Sequence, residues 1–191
     1  CHILDVAQAV GGGGNDLGVA IQSDAHNNLI GGATAELRNV LIALYISGLR
    51  NKALGNFIGT DVTGTSALQG VRGFGVRLDG QENRLGGTTE GEGNRIAGNQ
   101  TSGVIVSGTR NRVIGNEIGI NTAQNDRFGI ELRDTQSCFV EGGNKIVHNL
   151  GGILIEPDAG VSMGNTITDN DINNNFGVVS GEENGITIRG N

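Results

Sequence analysis

Proline occurs once, at Pro157, tryptophan is absent, and aromatic side chains make up only 3% of the 191 residues. With one proline against 35 glycines, collagen is excluded, because a triple helix needs glycine at every third place and abundant proline. Lysine and arginine are also few. There are 13 of them against 20 aspartates and glutamates, giving a net charge of −7, and they stand mostly singly. Phosphate binding needs clustered cations, so no nucleic-acid partner is expected. No apolar run approaches the ~18 residues of a membrane span. Cysteine appears only as Cys1 and Cys138.

What is present is a repeat. A glycine-plus-aliphatic strand recurs as Gly18-Val-Ala-Ile21, Gly75-Val-Arg-Leu78, Gly103-Val-Ile-Val106, Gly129-Ile-Glu-Leu132, Gly152-Ile-Leu-Ile155 and Gly185-Ile-Thr-Ile188, with Ala43-Leu-Tyr-Ile46 in the same slot. Between these lie turns of the form Asn-x-aliphatic, such as Asn28-Leu-Ile, Asn83-Arg-Leu and Asn144-Lys-Ile. Successive strand starts are 25, 32, 28, 26, 23 and 33 residues apart. Units this short do not hold two packed helices, and Val76-Arg-Leu78 and Ile130-Glu-Leu132 alternate with the period of a strand.

Residues 43–61 superimpose on 103–121, and 28–41 on 83–96. Each unit then holds three short strands: Gly-Val-x-Ile, Asn-x-Val/Ile and Asn-x-Ile-Gly. That is one coil of a parallel β-helix, an all-β solenoid of about seven coils of 23–33 residues. Stacking places equivalent residues ~4.8 Å apart and turns the aliphatics into interior columns. Glycine suits the sharp corners, and asparagine suits them by visiting the left-handed region and by stacking in amide ladders. Residues 1–17, with Gly11-Gly-Gly-Gly14, are expected to be an irregular segment or partial coil, and 18–191 a single β-helix domain. Opening abruptly at Cys1-His-Ile-Leu-Asp5, the chain is expected to be a segment of a longer one rather than a lipoprotein beginning at an acylated cysteine. Cys138 reads as a buried free thiol, and stacked coils disfavour a bridge to Cys1 across most of the rod.

The pattern resembles the right-handed parallel β-helix proteins of pectate-lyase-like type found on bacterial surfaces and in secretions. Asn56-Phe-Ile-Gly-Thr-Asp-Val-Thr-Gly-Thr-Ser-Ala-Leu68 is similar to a segment that recurs in large repeat-rich exoproteins. The resemblance implies a right-handed rod in an extracellular or cell-surface setting. It leaves chemistry open, since that superfamily holds lyases, hydrolases, epimerases, adhesins and stalks.

In such a rod, chemistry sits where outward side chains of successive strands line up. The first outward column is Ala20, Tyr45, Arg77, Ile105, Glu131, Leu154 and Thr187. The second is Gln22, Ser47, Asp79, Ser107, Arg133, Glu156 and Arg189, of which the last three are expected neighbours in a charge ladder. Tyr45, Arg77, Asp79, Arg133 and Glu156 are the candidate ligand-binding residues, suited to a shallow glycan groove, with Tyr45 stacked on Arg77. The alternative is a solvated face of cross-strand pairs. The hydrolase signature of paired aspartates with Gly-His-Gly is missing, as is the epimerase run Asp-Pro-His-Glu. A calcium-dependent lyase needs a carboxylate cluster and an arginine base, for which Glu131, Arg133, Glu156 and Asp158 are the candidates, Arg133 as base. Asp61, in Thr60-Asp-Val-Thr-Gly-Thr65, is the candidate calcium ligand, with an Asx/ST turn as the plainer alternative. His2, His26 and His148 have no metal spacing, and no other cofactor is expected. The leading expectation is a non-catalytic stalk, adhesin or assembly subunit that associates with itself or with neighbouring coils and touches polysaccharide. The alternative is a polysaccharide lyase or epimerase fragment acting on uronate polymers.

Overall fold

The computed structural model describes residues 18–68, 71–120, 125–176 and 185–189. Cys1 and the segment 1–17 lie outside that range. The chain winds as a right-handed parallel β-helix with three parallel sheets. The first sheet stacks Val19–Ile21, Leu44–Ile46, Val76–Leu78, Val104–Thr109, Phe128–Gln136, Gly151–Ile155 and Ile186–Ile188. The second stacks Leu29–Gly31, Lys52–Leu54, Arg84–Gly86, Arg112–Ile114, Phe139–Glu141 and Thr166–Ile167, and the third Val40–Leu41, Phe57–Ile58, Arg95–Ile96, Glu117–Ile118, Lys145–Val147 and Asp171–Asn173. The described residues thus form six complete coils and the first strand of a seventh. A single 3-10 turn, Ala35–Leu37, is the only helical element among them.

Register follows the repeat residue by residue. Val19 pairs with Leu44, Leu44 with Val76, Val76 with Val104, Val104 with Ile130, Ile130 with Ile153 and Ile153 with Ile186. Ile21, Ile46, Leu78, Val106, Leu132 and Ile155 form a second interior column, and the second and third sheets add Ile30 through Val140 and Leu41 through Ile146. Most of these side chains are fully buried.

The corners are tied by asparagine. In the column before the third sheet, the Asn94 N–H donates to Asn116 Oδ1 (3.0 Å) and the Asn116 N–H to Asn144 Oδ1 (3.0 Å). Asn116 Nδ2 then donates to the Leu85 carbonyl of the preceding coil (3.0 Å). Asn28, Asn51, Asn83 and Asn111 repeat this before the second sheet. A third ladder, Asn99, Asn125, Asn149 and Asn175, closes the third to sixth coils. It explains the glycine that opens the first strand. A Cβ on Gly103 would stand 2.7 Å from Asn125 Nδ2 and 2.8 Å from Ile118 Cγ2, so the slot is bare because of close approach rather than a left-handed backbone. Ala43 fills that slot in the coil that ends on Thr60, where no ladder asparagine is present.

Cys138 stands in the second-sheet ladder between Asn111 and Asn165, buried and unpaired with another cysteine. Its Sγ donates to the Gly108 carbonyl (3.6 Å), as Asn111 Nδ2 does to Gly80 (2.8 Å). Burial pushes the thiol pKa up, against a smaller opposing effect of nearby backbone hydrogen bonds. The sulfur offers no oxygen to the Asn111 N–H.

Two outcomes follow for urea unfolding. Asn116→Ala leaves buried donors and acceptors unpaired and should cost about 2–4 kcal/mol, whereas exposed Asn173→Ala should stay within about 0.5 kcal/mol. Cys138→Asn restores the missing amide and should raise stability by about 1 kcal/mol; a lower midpoint would show that the ladder tolerates no amide there.

Candidate functional site

The first outward column forms as the spacing predicts: Tyr45 lies beside Arg77, Arg77 beside Ile105, Ile105 beside Glu131 and Glu131 beside Leu154. The side chains then divide. Arg77 turns to its own strand neighbour, its Nε donating to both oxygens of Asp79 at 2.8 Å, and does not hold the guanidinium over Tyr45 for stacking. Glu131 and Leu154 face outward by register yet are 0% exposed, so this part of the column is covered rather than open.

Glu131 is the hub of that covered region. Its Oε1 accepts from Ser102 Oγ, and Arg127 Nη1 lies 3.9 Å away. Its Oε2 accepts from Arg133 Nε at 2.6 Å. Arg133 Nη1 reaches on to Asp158 Oδ1 at 2.9 Å, so one guanidinium bridges two carboxylates. A buried carboxylate demands such partners, because leaving it unpaired away from water is costly. Burial works against the Arg133 charge, but the hydrogen bond and charge of Glu131, followed by those of Asp158, outweigh it and raise the pKa above the ordinary guanidinium value. Arg133 is thereby held protonated, which opposes proton abstraction.

A bulge makes this geometry. Val106 pairs with Leu132 but Gly108 with Thr135, so Arg133 and Asp134 together oppose Ser107. Asp134 takes a left-handed φ of 51°. Its carboxylate accepts the N–H groups of Asp158 (3.0 Å) and Gly160 (2.8 Å), fixing the loop that delivers Asp158. Of the four candidate lyase residues, Glu131, Arg133 and Asp158 come together. Glu156 instead pairs with Arg189, Oε1 to Nη1 at 3.5 Å, so the expected Arg133–Glu156–Arg189 ladder is split between two partners. Ser102 and Arg127 were not legible in the sequence, since they stand just before the strand repeats, outside the alternating pattern.

Asp61 sits in a corner insertion. Its Oδ1 accepts from Thr63 Oγ1 (2.7 Å) and from the Thr65 and Ser66 N–H groups (3.1 and 3.3 Å). The Thr63 hydroxyl chiefly, with the backbone N–H groups, lowers its pKa against a smaller effect of burial. Among the described residues no three His, Cys, Asp or Glu side chains converge as a metal-binding group. His26 hydrogen-bonds to Asn27, and His148 packs near Phe176 with ring centroids 6.2 Å apart. No helix among the described residues is long and apolar enough to cross a membrane.

No protein-family model, curated protein or solved structure matches the chain. Geometry alone therefore carries the functional argument. The Ser102–Glu131–Arg133–Asp158 network ties the fourth, fifth and sixth coils together on the outer face and pairs the buried Glu131 carboxylate, leaving the excess negative charge at the exposed Asp158. Glu131→Ala should remove about 3 kcal/mol or more of stability in denaturant unfolding, because Ser102 and Arg133 lose a buried partner. Arg77→Ala, which breaks a partly exposed pair, should cost under about 1 kcal/mol.

Proposed function

We propose that the chain is a non-catalytic structural and interaction module, a rod segment of a secreted or cell-surface protein that serves as stalk, adhesin segment or assembly subunit and contacts polysaccharide. The observation that carries this reading is the first-sheet outer face. Its charged side chains pair with one another along and across coils, and the one deeply buried carboxylate among the described residues, Glu131, is fully engaged by Ser102 and Arg133. A reacting centre would instead leave an acid or base free to meet substrate. The repeat and the corner segment Ile58-Gly-Thr-Asp-Val-Thr-Gly-Thr65 support a place in the pectate-lyase-like superfamily, whose members include such stalks and adhesins. Self-association or stacking on neighbouring coils belongs to the same proposal, since a parallel β-helix pairs strand on strand along its axis.

A uronate lyase or epimerase is the second reading, favoured by the proximity of Arg133 to two carboxylates. Incubation with polygalacturonate and alginate, with calcium present, separates the two by the ultraviolet absorbance of unsaturated products. The expected result is no increase over buffer. An increase abolished by Arg133→Ala would replace the stalk reading with the lyase.

A further inference from the structure

Basic residues that stand singly in the sequence meet on one edge of the second sheet. Lys52, Arg84 and Arg112 are in register in the second, third and fourth coils. Two residues earlier, at the corner, the same coils carry Arg50, Glu82 and Arg110. The Arg50 N–H donates to the Gln81 carbonyl and the Glu82 N–H to Thr109, which stacks these corners. The corner column reads plus, minus, plus, with Glu82 accepting from Arg50 Nε (2.7 Å) and Arg110 Nη2 (2.8 Å).

This corner is an expensive place for such side chains. Arg50, Glu82 and Arg110 have φ of 55°, 55° and 53°. Asn27, Ser137 and Gly164, small or polar residues, occupy the equivalent place in the first, fifth and sixth coils, and a left-handed backbone is strained for long side chains. The charges are therefore not a default of the corner. The side chains are also available: Arg50, Arg110 and Arg112 are 60%, 54% and 52% exposed, and ion pairs this open are weak, so they exchange partners readily. Beside the column runs a groove of about 370 Å³, walled by Arg84, Thr88 and Arg112 and closed at one end by Glu141 and Asp169.

From this geometry we infer that the second-sheet edge binds a linear acidic polysaccharide bearing a carboxylate on every second sugar. The polymer lies along the rod axis. Coils are ~4.8 Å apart, so the Arg50/Lys52 and Arg110/Arg112 pairs are ~9.6 Å apart, close to the repeat of an extended disaccharide. One carboxylate sits at each pair, and the uncharged sugar between them faces Glu82, because Arg84 of that coil is turned away to Glu92, its Nη2 donating to Oε2 at 2.6 Å. A contiguous polyuronate would set a carboxylate against Glu82. A nucleic acid fits poorly, because the chain carries −7 overall and the nearby Phe139 ring is covered by Arg112, 5.6 Å from its centroid. The inference rests on the interaction-module reading and supplies its ligand.

Affinity electrophoresis and calorimetry of the full chain with hyaluronate, polygalacturonate, dextran and poly-dT test it. Hyaluronate, which alternates a uronate with an uncharged sugar, should bind more tightly than polygalacturonate, with dextran and poly-dT weakest. Lys52→Gln with Arg112→Gln should weaken hyaluronate binding about tenfold or more. Lys145→Gln, on the third sheet, should leave it unchanged, and Glu82→Gln should raise affinity for polygalacturonate. Melting curves verify folding, and Lys52→Gln alone carries the test if the double variant is unstable. No binding to hyaluronate, equal binding to dextran, tighter binding to poly-dT, or an equal loss in Lys145→Gln would overturn the inference. Polymer length after incubation distinguishes the two levels: shortening sinks the non-catalytic reading, whereas absent binding sinks only this site.

Discussion

One interaction holds the rod in register: a side-chain amide at the corner that accepts the backbone N–H of the neighbouring coil's asparagine and donates to a carbonyl of that coil. Strand N–H groups find partners in the sheets, but corner N–H groups point where no strand runs. Asn94, Asn116 and Asn144 show the solution, each oxygen taking an N–H and each NH2 reaching a backbone carbonyl such as Leu85 or Val113. Buried polar groups left unpaired are costly, so the corner fixes which coil stacks on which before the aliphatic columns add their non-directional burial. The three sheets inherit their register from three such ladders.

This dependence explains what the sequence revealed. Glycine slots and Asn-x-aliphatic turns are backbone and corner requirements that every coil must meet, so their spacing located the first-sheet register to the residue. The third ladder was harder to see. Its members, Asn99, Asn125, Asn149 and Asn175, stand at different distances from the strands that flank them, and the coil before them carries Thr60 in that place. The candidate site was legible only as a column. That Glu131 is buried depends on Ser102, Arg127 and a one-residue bulge at Arg133–Asp134, none of which alters the alternation of apolar and polar residues. Corner rules likewise favour glycine or asparagine, so arginine and glutamate in left-handed conformation at Arg50, Glu82 and Arg110 were invisible until the backbone was known.

A solenoid also changes how charge should be read. Residues about 28 apart along the chain become neighbours one strand spacing apart, so cations that are isolated in sequence become a column in space. The first and second sheets use this differently. On the first, Arg133 is itself largely buried and is committed to the fully buried Glu131, reaching on from there to the exposed Asp158. On the second and its corner, Arg50, Arg110 and Arg112 pair with carboxylates near the surface, where each pair is weak and reversible. The same residue types thus serve as structural ties on one face and as exchangeable contacts on the other, and burial is what separates the two.

Glu82 joins both roles. Hydrogen bonds from Arg50 first and then Arg110 lower its carboxyl pKa against a smaller effect of burial. A group whose folded pKa is lowered keeps its charge, and the contribution that charge makes, as acidity increases, and loses both only when pH falls through the lowered value. The alternation of charge along the corner is fixed by the hydrogen bonds that Arg50 and Arg110 give to Glu82 across its three coils.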